Sequence, residues 1–355
     1  MQNNDPVISV LVPCYNVEKY VEECIDSILA QSFEDYEIIC LNDGSTDSTP
    51  EILHAYVDKD PRVRVIDKPN SGYGASMNRG LDEARGQYIA ILESDDFMEP
   101  NTLESLYDAV THNDARAVKA NFYFYWSKPA PRNEKNQLIG EDAPECVNPR
   151  EFRELFWYMP SIWSAMYEKT YLDENGIRFL ETPGASYQDL AFTFKVWSCA
   201  DRVALLKDAF VHYRQDNESS SIHSPGKVFC VCDEFEEMER FLAAHPDKAD
   251  LKPVETRLKF DSYIWNYWRL DKELRAKFLP RFVEDFEREK REGNIDYALF
   301  QPWSEVDLRQ ILSDPEGYHR WACQTNGKQG RIATALRYFR VGGMPLLKKR
   351  LQYKG

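Results

Sequence analysis

Apolar runs of strand length recur through the first third of the chain, at residues 7–12, 36–41, 62–66, 88–92 and 118–126. Most are near-continuous rather than alternating, as expected of strands buried on both faces. Between them apolar residues fall at helical spacing, with Tyr20, Cys24, Ile28 and Leu29 on one face. Thr49 followed by Pro50 reads as a helix start, a hydroxyl cap and then proline at the first helical position. Asn70-Ser71-Gly72-Tyr73-Gly74 reads as a flexible loop that opens a helix through Ala84, and Asn101 with Glu104 as a capping box. This strand–helix alternation predicts an α/β fold with a doubly wound, mostly parallel sheet.

Beyond residue 126 the pattern changes. Residues 127–149 are polar and contain proline, and read as a loop. Residues 150–225 return to mixed structure: a helix near 151–158, a strand near 164–167, a helix over 188–200, and a short strand at 203–206 that leads to Tyr213-Arg214 and a serine-rich turn. From about residue 226 the chain reads as helical, rich in acids and aromatics, without a legible motif. The expected division is therefore 1–225 and 226–355, with no internal repeat.

With 355 residues, 43% of them hydrophobic and 29% charged, the chain can bury a substantial core. Its net charge of −15 argues against nucleic acid as a partner. That charge is uneven. From Arg320 onward there are nine Lys or Arg and no acid, so 35 of the 44 basic residues and all 59 acids precede it. The eight cysteines form no CxxC pair and no zinc spacing, and read as reduced thiols of a cytoplasmic protein. Residues 1–6 are polar and the apolar run after them is short, so no leader is expected, and no run approaches membrane-spanning length.

The chemistry sits at the strand ends. They offer Tyr15 and Asn16, then Asn42-Asp43-Gly44-Ser45, then Gly72 and Gly74, and finally Glu93, Ser94, Asp95 and Asp96. In a parallel sheet these ends share one rim, where open α/β sheets bind ligands. An aromatic at Tyr15 and an acid at Asp43 suit a nucleobase, one for stacking and one for a hydrogen bond. Three acids within four residues repel one another, and a hard divalent ion shared with substrate phosphates would neutralise them. Each feature also has an ordinary reading: Asn-Asp-Gly-Ser makes a good turn, and acids crowd solvated loops.

Taken together, Val10-Leu11-Val12-Pro13-Cys14-Tyr15-Asn16, Leu41-Asn42-Asp43-Gly44-Ser45-Thr46-Asp47, Asn70-Ser71-Gly72 and Leu92-Glu93-Ser94-Asp95-Asp96 resemble the nucleotide-sugar half of family 2 glycosyltransferases. The resemblance covers residues 7–125 closely and extends more loosely, through Tyr187-Gln188-Asp189-Leu190 and Tyr213-Arg214, to about residue 225. It implies a GT-A fold, with 1–125 as the nucleotide-sugar half and 126–225 as the acceptor half. It implies an inverting transfer from a nucleotide-sugar, most often a UDP-sugar, with Mn2+ or Mg2+ as cofactor. It places Pro13, Tyr15, Asn16, Asp43, Gly72, Asn78, Ser94 and Arg214 at the nucleotide, Asp95 with Glu93 and Asp96 at the metal, and Asp189 as general base. The chain departs from the family pattern at three places. Glu93 stands where the metal motif usually opens with Asp, Met77 where many members have Arg, and Gln188 where the acceptor motif usually has Glu.

Asp189 also has a case of its own. Sugar transfer needs a base for the acceptor hydroxyl proton and charge stabilisation for the leaving diphosphate, so one carboxylate and one metal are sufficient. An acid in the first turn of a helix is otherwise explained by the macrodipole alone. Arg214 offers a bidentate phosphate clamp or a salt bridge, and His223 a metal-side or an ordinary loop histidine. Two rivals stand beside the transferase. One is a nucleotidyltransferase, which lacks a basic glycine-rich triphosphate loop here. The other is a catalytically silent sugar-nucleotide-binding module. In the tail, residues 328–355, Ile332, Ala335, Leu336 and Phe339 lie at helical spacing with Arg331, Arg337 and Arg340 off that face, before Gly342-Gly343 and Pro345 break the helix. Two partners suit this pattern: an anionic membrane surface, which would make the protein peripheral at the inner face of the membrane, and the acidic body of the chain itself. The expected acceptor is a glycan or lipid-linked glycan.

Overall fold

A computed structural model describes residues 5–217, 227–324 and 328–352. The N-terminal part runs β1 (Ile8–Cys14), α1 (Val21–Leu29), β2 (Tyr36–Asn42), α2 (Thr49–Val57), β3 (Val63–Asp67), α3 (Tyr73–Glu83), β4 (Tyr88–Ile91), β5 (Phe97–Met98), α4 (Thr102–His112) and β6 (Ala117–Trp126). It continues through β7 (Arg132–Asn136), β8 (Cys146–Val147), β9 (Ala165–Glu168), α5 (Lys169–Glu174), α6 (Gln188–Cys199) and β10 (Val203–Arg214). The strands β1, β2 and β4 are buried at every position, which is why their sequences are apolar without alternation.

The sheet order is β3-β2-β1-β4-β9-β6-β10-β5, with β7 beside β6 and β8 beside β10. Strands β3, β2, β1 and β4 are mutually parallel, and so are β6 and β10. Antiparallel β9 joins these two parallel sets, so the sheet is mixed. Register aligns the ends of the first three strands, Cys14 opposite Asn42 and Asn42 opposite Asp67. The loops that follow therefore leave the sheet along one rim.

Several local expectations change. The cap of α2 is Ser48, one residue early, because the Thr49 hydroxyl accepts from Val17 N at 2.9 Å. The capping box at α4 does not form: Glu104 accepts instead from the Ser32 hydroxyl at 2.7 Å. The helix expected at 151–158 is a 3-10 turn, Arg153–Trp157, and β7 and β8 lie within the expected loop 127–149. The short strand at 203–206 continues to Arg214 as β10, across register shifts on β6.

Packing divides the chain into Met1–His223 and Ser224–Gly355. The second unit is helical: α7 (Cys230–Ala244), α8 (Lys252–Arg269), α9 (Lys272–Glu292), α10 (Pro302–Ser313), α11 (Pro315–Gln324) and α12 (Lys328–Gln352). Phe260, Tyr263, Phe278, Phe282 and Phe286 pack ring on ring at its centre. Gly343, at φ 62°, kinks α12 as its glycine pair and Pro345 predict. Before the kink, Arg337 pairs with Asp307, and Tyr338 Oη donates to the same carboxylate at 3.1 Å. Leu336, Phe339, Met344 and Leu351 remain exposed. His223 and the side chains of Arg331, Ile332 and Arg340 lie outside the described residues.

Candidate active site

The rim is assembled by side chains that tie one strand-end loop to the next. Asn16, held at φ 54°, receives Thr46 N on its side-chain oxygen at 2.8 Å and donates its own N–H to the Ser45 hydroxyl at 3.0 Å. This fixes the loop after β1 to the loop after β2. Tyr15, beside it, is 52% exposed, so its ring is available to stack on a planar group. Pro13 is buried one residue before the end of β1 and fixes the path into this loop.

Asp43 is nearly buried, and its carboxylate accepts from Ser71 N at 2.9 Å and Gly72 N at 3.0 Å. Lys68 pairs with the same carboxylate and also reaches the hydroxyls of Ser71 and Ser76. Asp43 thus organises the loop entering α3. The Lys68 side chain was not singled out from the sequence, because a lone Lys after a strand carries no pattern.

That loop is pressed against residues 180–184. Gly72 has φ +92°, and a Cβ there would lie 2.5 Å from Thr182 O. A Cβ on Gly74 would lie 2.0 Å from Leu180 O. Only glycine allows either approach. Asn78 reinforces the contact, donating to Phe179 O at 3.0 Å and to Glu181 at 2.9 Å and accepting from Phe179 N at 2.8 Å. Met77, in the position where Arg is common, is fully buried in the core.

Gln188 anchors the same segment from its far side. Its oxygen accepts from Ser186 N at 2.5 Å, while its amide donates to the Thr182 hydroxyl at 2.9 Å and Gly184 O at 3.2 Å. A glutamate could not donate these last two bonds. The amide therefore has a local reason: it closes the loop that presents Asp189. Tyr187 before it is left-handed at φ 57°, which turns the chain sharply into α6. Asp189 lies in the first turn of α6, and burial pushes its carboxyl up to about 6 against the opposing pull of backbone N–H groups and Lys119. Lys119 is itself buried on β6, its ammonium caged by Ser161 O at 2.5 Å, Ser161 Oγ at 2.6 Å and Ser164 Oγ at 2.9 Å. Burial lowers it to about 7, with Asp189 opposing.

The acid loop after β4 is braced from β10. Arg214 N donates to Asp96 at 2.8 Å, and Arg214 Nε donates to Asp95 O at 2.8 Å. Its guanidinium also meets Glu23 at 2.5 Å, between the rings of Tyr20 and Tyr125. Arg214 is thus spent holding the loop. Asn217 donates to Asp95 at 2.7 Å. Ser94 is buried within the loop. Tyr73, missed in the sequence, donates its phenol to Glu93 at 2.6 Å.

Glu93, Asp95 and Asp96 do not close into one set of ligands. Among the described residues only Glu239, Glu255 and Glu289 bring carboxylate oxygens within 4.8 Å of one another, and the Lys259 ammonium already pairs with all three. The acid loop nevertheless suits a divalent ion. Burial and then Asp95 push Asp96 up, and one Asp96 oxygen is buried with no hydrogen-bond partner. Burial likewise pushes the Glu93 carboxyl up to about 8, with Asp95 and Asp189 adding to it. A magnesium-like ion asks for only one or two carboxylates plus substrate phosphates. The Tyr213 phenol feels the charge of all of these acids. Burial raises it first, and then Asp96, Asp95, Asp189 and Glu93 in turn.

Comparisons with known proteins agree with this geometry. The sequence profile described as glycosyl transferase family 2 matches residues 9–171. The uncharacterized glycosyltransferase EpsJ of Bacillus subtilis (strain 168) is 31% identical over 219 residues, which are 60% of this chain and 62% of EpsJ. The chain thus spans less than two thirds of that relative. Glycosyltransferase GlyG of Streptococcus pneumoniae serotype 4 is 34% identical over 221 residues, 60% of this chain and 72% of GlyG. Residues 1–349 of Staphylococcus aureus TarS, solved in complex with UDP-GlcNAc, superpose with a TM-score of 0.58 at 19% identity over 90% of each chain. That likeness shows the fold, the GT-A arrangement expected from the strand-end motifs.

Proposed function

Because the chain belongs to glycosyl transferase family 2, we propose that it moves a hexosyl or N-acetylhexosaminyl group from a UDP-sugar to a glycan or lipid-linked acceptor, with inversion, in surface polysaccharide synthesis. The observation that carries the reading is that Glu93, Asp95 and Asp96, read as donor-side, and Asp189, read as acceptor-side, all act electrostatically on one phenol, that of Tyr213. A single displacement needs these two kinds of carboxylate in one place.

In this reading the uracil stacks on exposed Tyr15 beside Asp43, and the donor class is that bound in the TarS complex with UDP-GlcNAc. Pro13, Asn16, Gly72, Asn78 and Ser94 shape the nucleotide cleft, and Arg214 acts on it through the acid loop. Asp95 and Glu93, with Asp96 behind them, would hold Mn2+ or Mg2+, which when bound supplies positive charge to the leaving diphosphate. Asp189 takes the acceptor hydroxyl proton as the acceptor oxygen bonds to the anomeric carbon. The bond from that carbon to the diphosphate oxygen breaks, and the diphosphate leaves with its electron pair. A carboxyl raised to about 6 is well matched to this task, since it is ionised at neutral pH yet still basic.

The tail extends the reading to the membrane. Leu336, Phe339 and Met344 are exposed near exposed Lys348, Lys349 and Arg350, on a segment without acids. This suits a peripheral position on anionic lipid while Arg337 and Tyr338 keep α12 on its own unit. No helix among the described residues is long and apolar enough to cross a membrane.

The test is hydrolysis and transfer across a panel of nucleotide-sugars, with manganese and with excess chelator. Manganese-dependent turnover of one UDP-sugar supports the reading. Release of pyrophosphate from a nucleoside triphosphate and a sugar phosphate would establish the nucleotidyltransferase instead.

A further inference from the structure

The helical unit contains a cleft of about 450 Å³ between α8, α10, α11 and α12. Its size is in the range of small-molecule sites. Trp268, Trp303 and Trp321 give it aromatic walls, and Asp261, Gln301 and Arg257 are among its polar lining. Trp268 and Trp321 meet edge to face at 5.6 Å and 90°, so the two rings form a corner rather than a closed stack. Arg337 covers one side of Trp321 at 4.0 Å and fixes that ring.

Three details point to a ligand. Trp321 Nε1 is buried and makes no hydrogen bond, although an indole N–H taken out of water normally finds a partner. Gln301, half-buried at the cleft, makes no side-chain hydrogen bond among the described residues. Asp261 is paired with Arg257 yet keeps 42% of its side chain exposed. The polar lining thus combines acceptors (Asp261, Gln301) with donors (Gln301, Trp321, Arg257) and carries no net excess of either charge between Asp261 and Arg257. A ligand matched to it bears groups that both donate and accept, and has a flat apolar face for an indole. Hydroxyls on a pyranose ring have this combination, since each is donor and acceptor and the axial C–H bonds make an apolar face.

We propose that this cleft binds a neutral saccharide and serves as a holding site for a glycan chain, separate from the nucleotide-sugar rim. The cleft lies wholly within Ser224–Gly355, so its binding does not depend on the chemistry of the first unit. The link to acceptor glycan rests on the transferase reading; the binding itself does not.

The experiment is a tryptophan-fluorescence titration of the full chain, without donor or metal, against tetrasaccharides of N-acetylglucosamine, glucose and mannose at millimolar concentration. The expected result is saturable quenching by at least one of them, weakened about tenfold in Asp261→Asn and Gln301→Ala, with donor hydrolysis unchanged in both variants. Trp321→Phe keeps an aromatic ring, though a smaller one, and removes the N–H, and is expected to weaken the same saccharide while circular dichroism stays as in the parent. No saturable quenching by any of the three, or equal quenching in all three variants, overturns the proposal. Loss of donor hydrolysis in the parent with quenching intact would strike the transferase reading alone.

Discussion

The Tyr73 phenol donates to Glu93 over 2.6 Å, across the gap between the start of α3 and the acid loop after β4. Burial and the Glu93 charge push that phenol upward, so it stays a donor. It is the one side-chain partner of the Glu93 carboxyl among the described residues. Tyr73→Phe is therefore expected to leave the fold intact and to raise the manganese concentration for half-maximal activity by roughly tenfold, about the worth of one charge-assisted bond. Metal titration of the two proteins checks this. An unchanged midpoint would show that Glu93 does not depend on the phenol.

Asp43 separates loop building from base recognition. Asp43→Ala is expected to abolish the thermal shift that UDP gives the parent, and Asp43→Asn to retain part of it, because the amide oxygen can still accept from Ser71 N or Gly72 N. Melting curves with and without UDP decide. A full shift in the alanine variant removes Asp43 from the nucleotide site.

Asp189→Asn is expected to cost two to four orders of magnitude in transfer rate, roughly what a positioned base contributes, while donor affinity changes little. The product anomer, read by NMR, should be opposite to that of the donor. If donor affinity falls in step with rate, Asp189 belongs to the donor site.

Burial raises Glu93, Asp96 and Asp189 above their ordinary values, Glu93 to about 8 and Asp189 to about 6. Without metal, the folded chain therefore holds protons that the unfolded chain has lost. Their contribution is complete below the unfolded carboxyl values near 4, and falls away as pH rises through about 6 and then about 8. His212, lowered by burial, works in the opposite sense at the acid end of this range. In chelator, the melting temperature is expected to fall by several degrees between pH 5 and pH 7, at about 2–4 °C per kcal/mol for a domain of this size, and above pH 7 the fall is opposed by Lys119, which burial lowers to about 7. Glu93→Gln should flatten that fall, and manganese should reverse it. A melting temperature that rises over this interval in chelator contradicts the assignment.

Leu336 and Phe339 face outward while Arg337 and Tyr338 face Asp307. Leu336→Glu with Phe339→Glu is therefore expected to abolish co-sedimentation with anionic vesicles at low salt without changing donor hydrolysis. Co-sedimentation that survives both glutamates would place the lipid contact elsewhere.

The sequence made the parallel strands and the rim legible because each strand is one buried apolar run ending in turn chemistry. The position of β9 was not legible: its four residues read as a strand, but nothing local says that it enters antiparallel between β4 and β6. Lys119 and Tyr73 were hidden for a related reason. Lys119 interrupts an apolar strand and Tyr73 opens a helix, and their partners, Ser161 and Ser164 for one and Glu93 for the other, are distant in sequence. Arg214 was visible as a cation, but its engagement with Glu23 depends on a contact 191 residues apart. The unusual Gln188 is explained by its amide, which donates to the Thr182 hydroxyl and the Gly184 carbonyl, partners that no local pattern announces.

The absence of side chains at Gly72 and Gly74 lets the donor loop rest directly on the backbone of residues 180–184, and Tyr73 N bonds to Gly184 O at 3.0 Å. The two loops are one mechanical part. A nucleotide that draws in residues 70–72 is expected to carry Gln188 and Asp189 with it, so that in the transferase reading the acceptor pocket is finished only after the donor has arrived. In the transferase reading proposed above, the expected kinetic consequence is compulsory order, donor on first and diphosphate off last. Product inhibition by UDP should accordingly be competitive toward the sugar donor and non-competitive toward the acceptor.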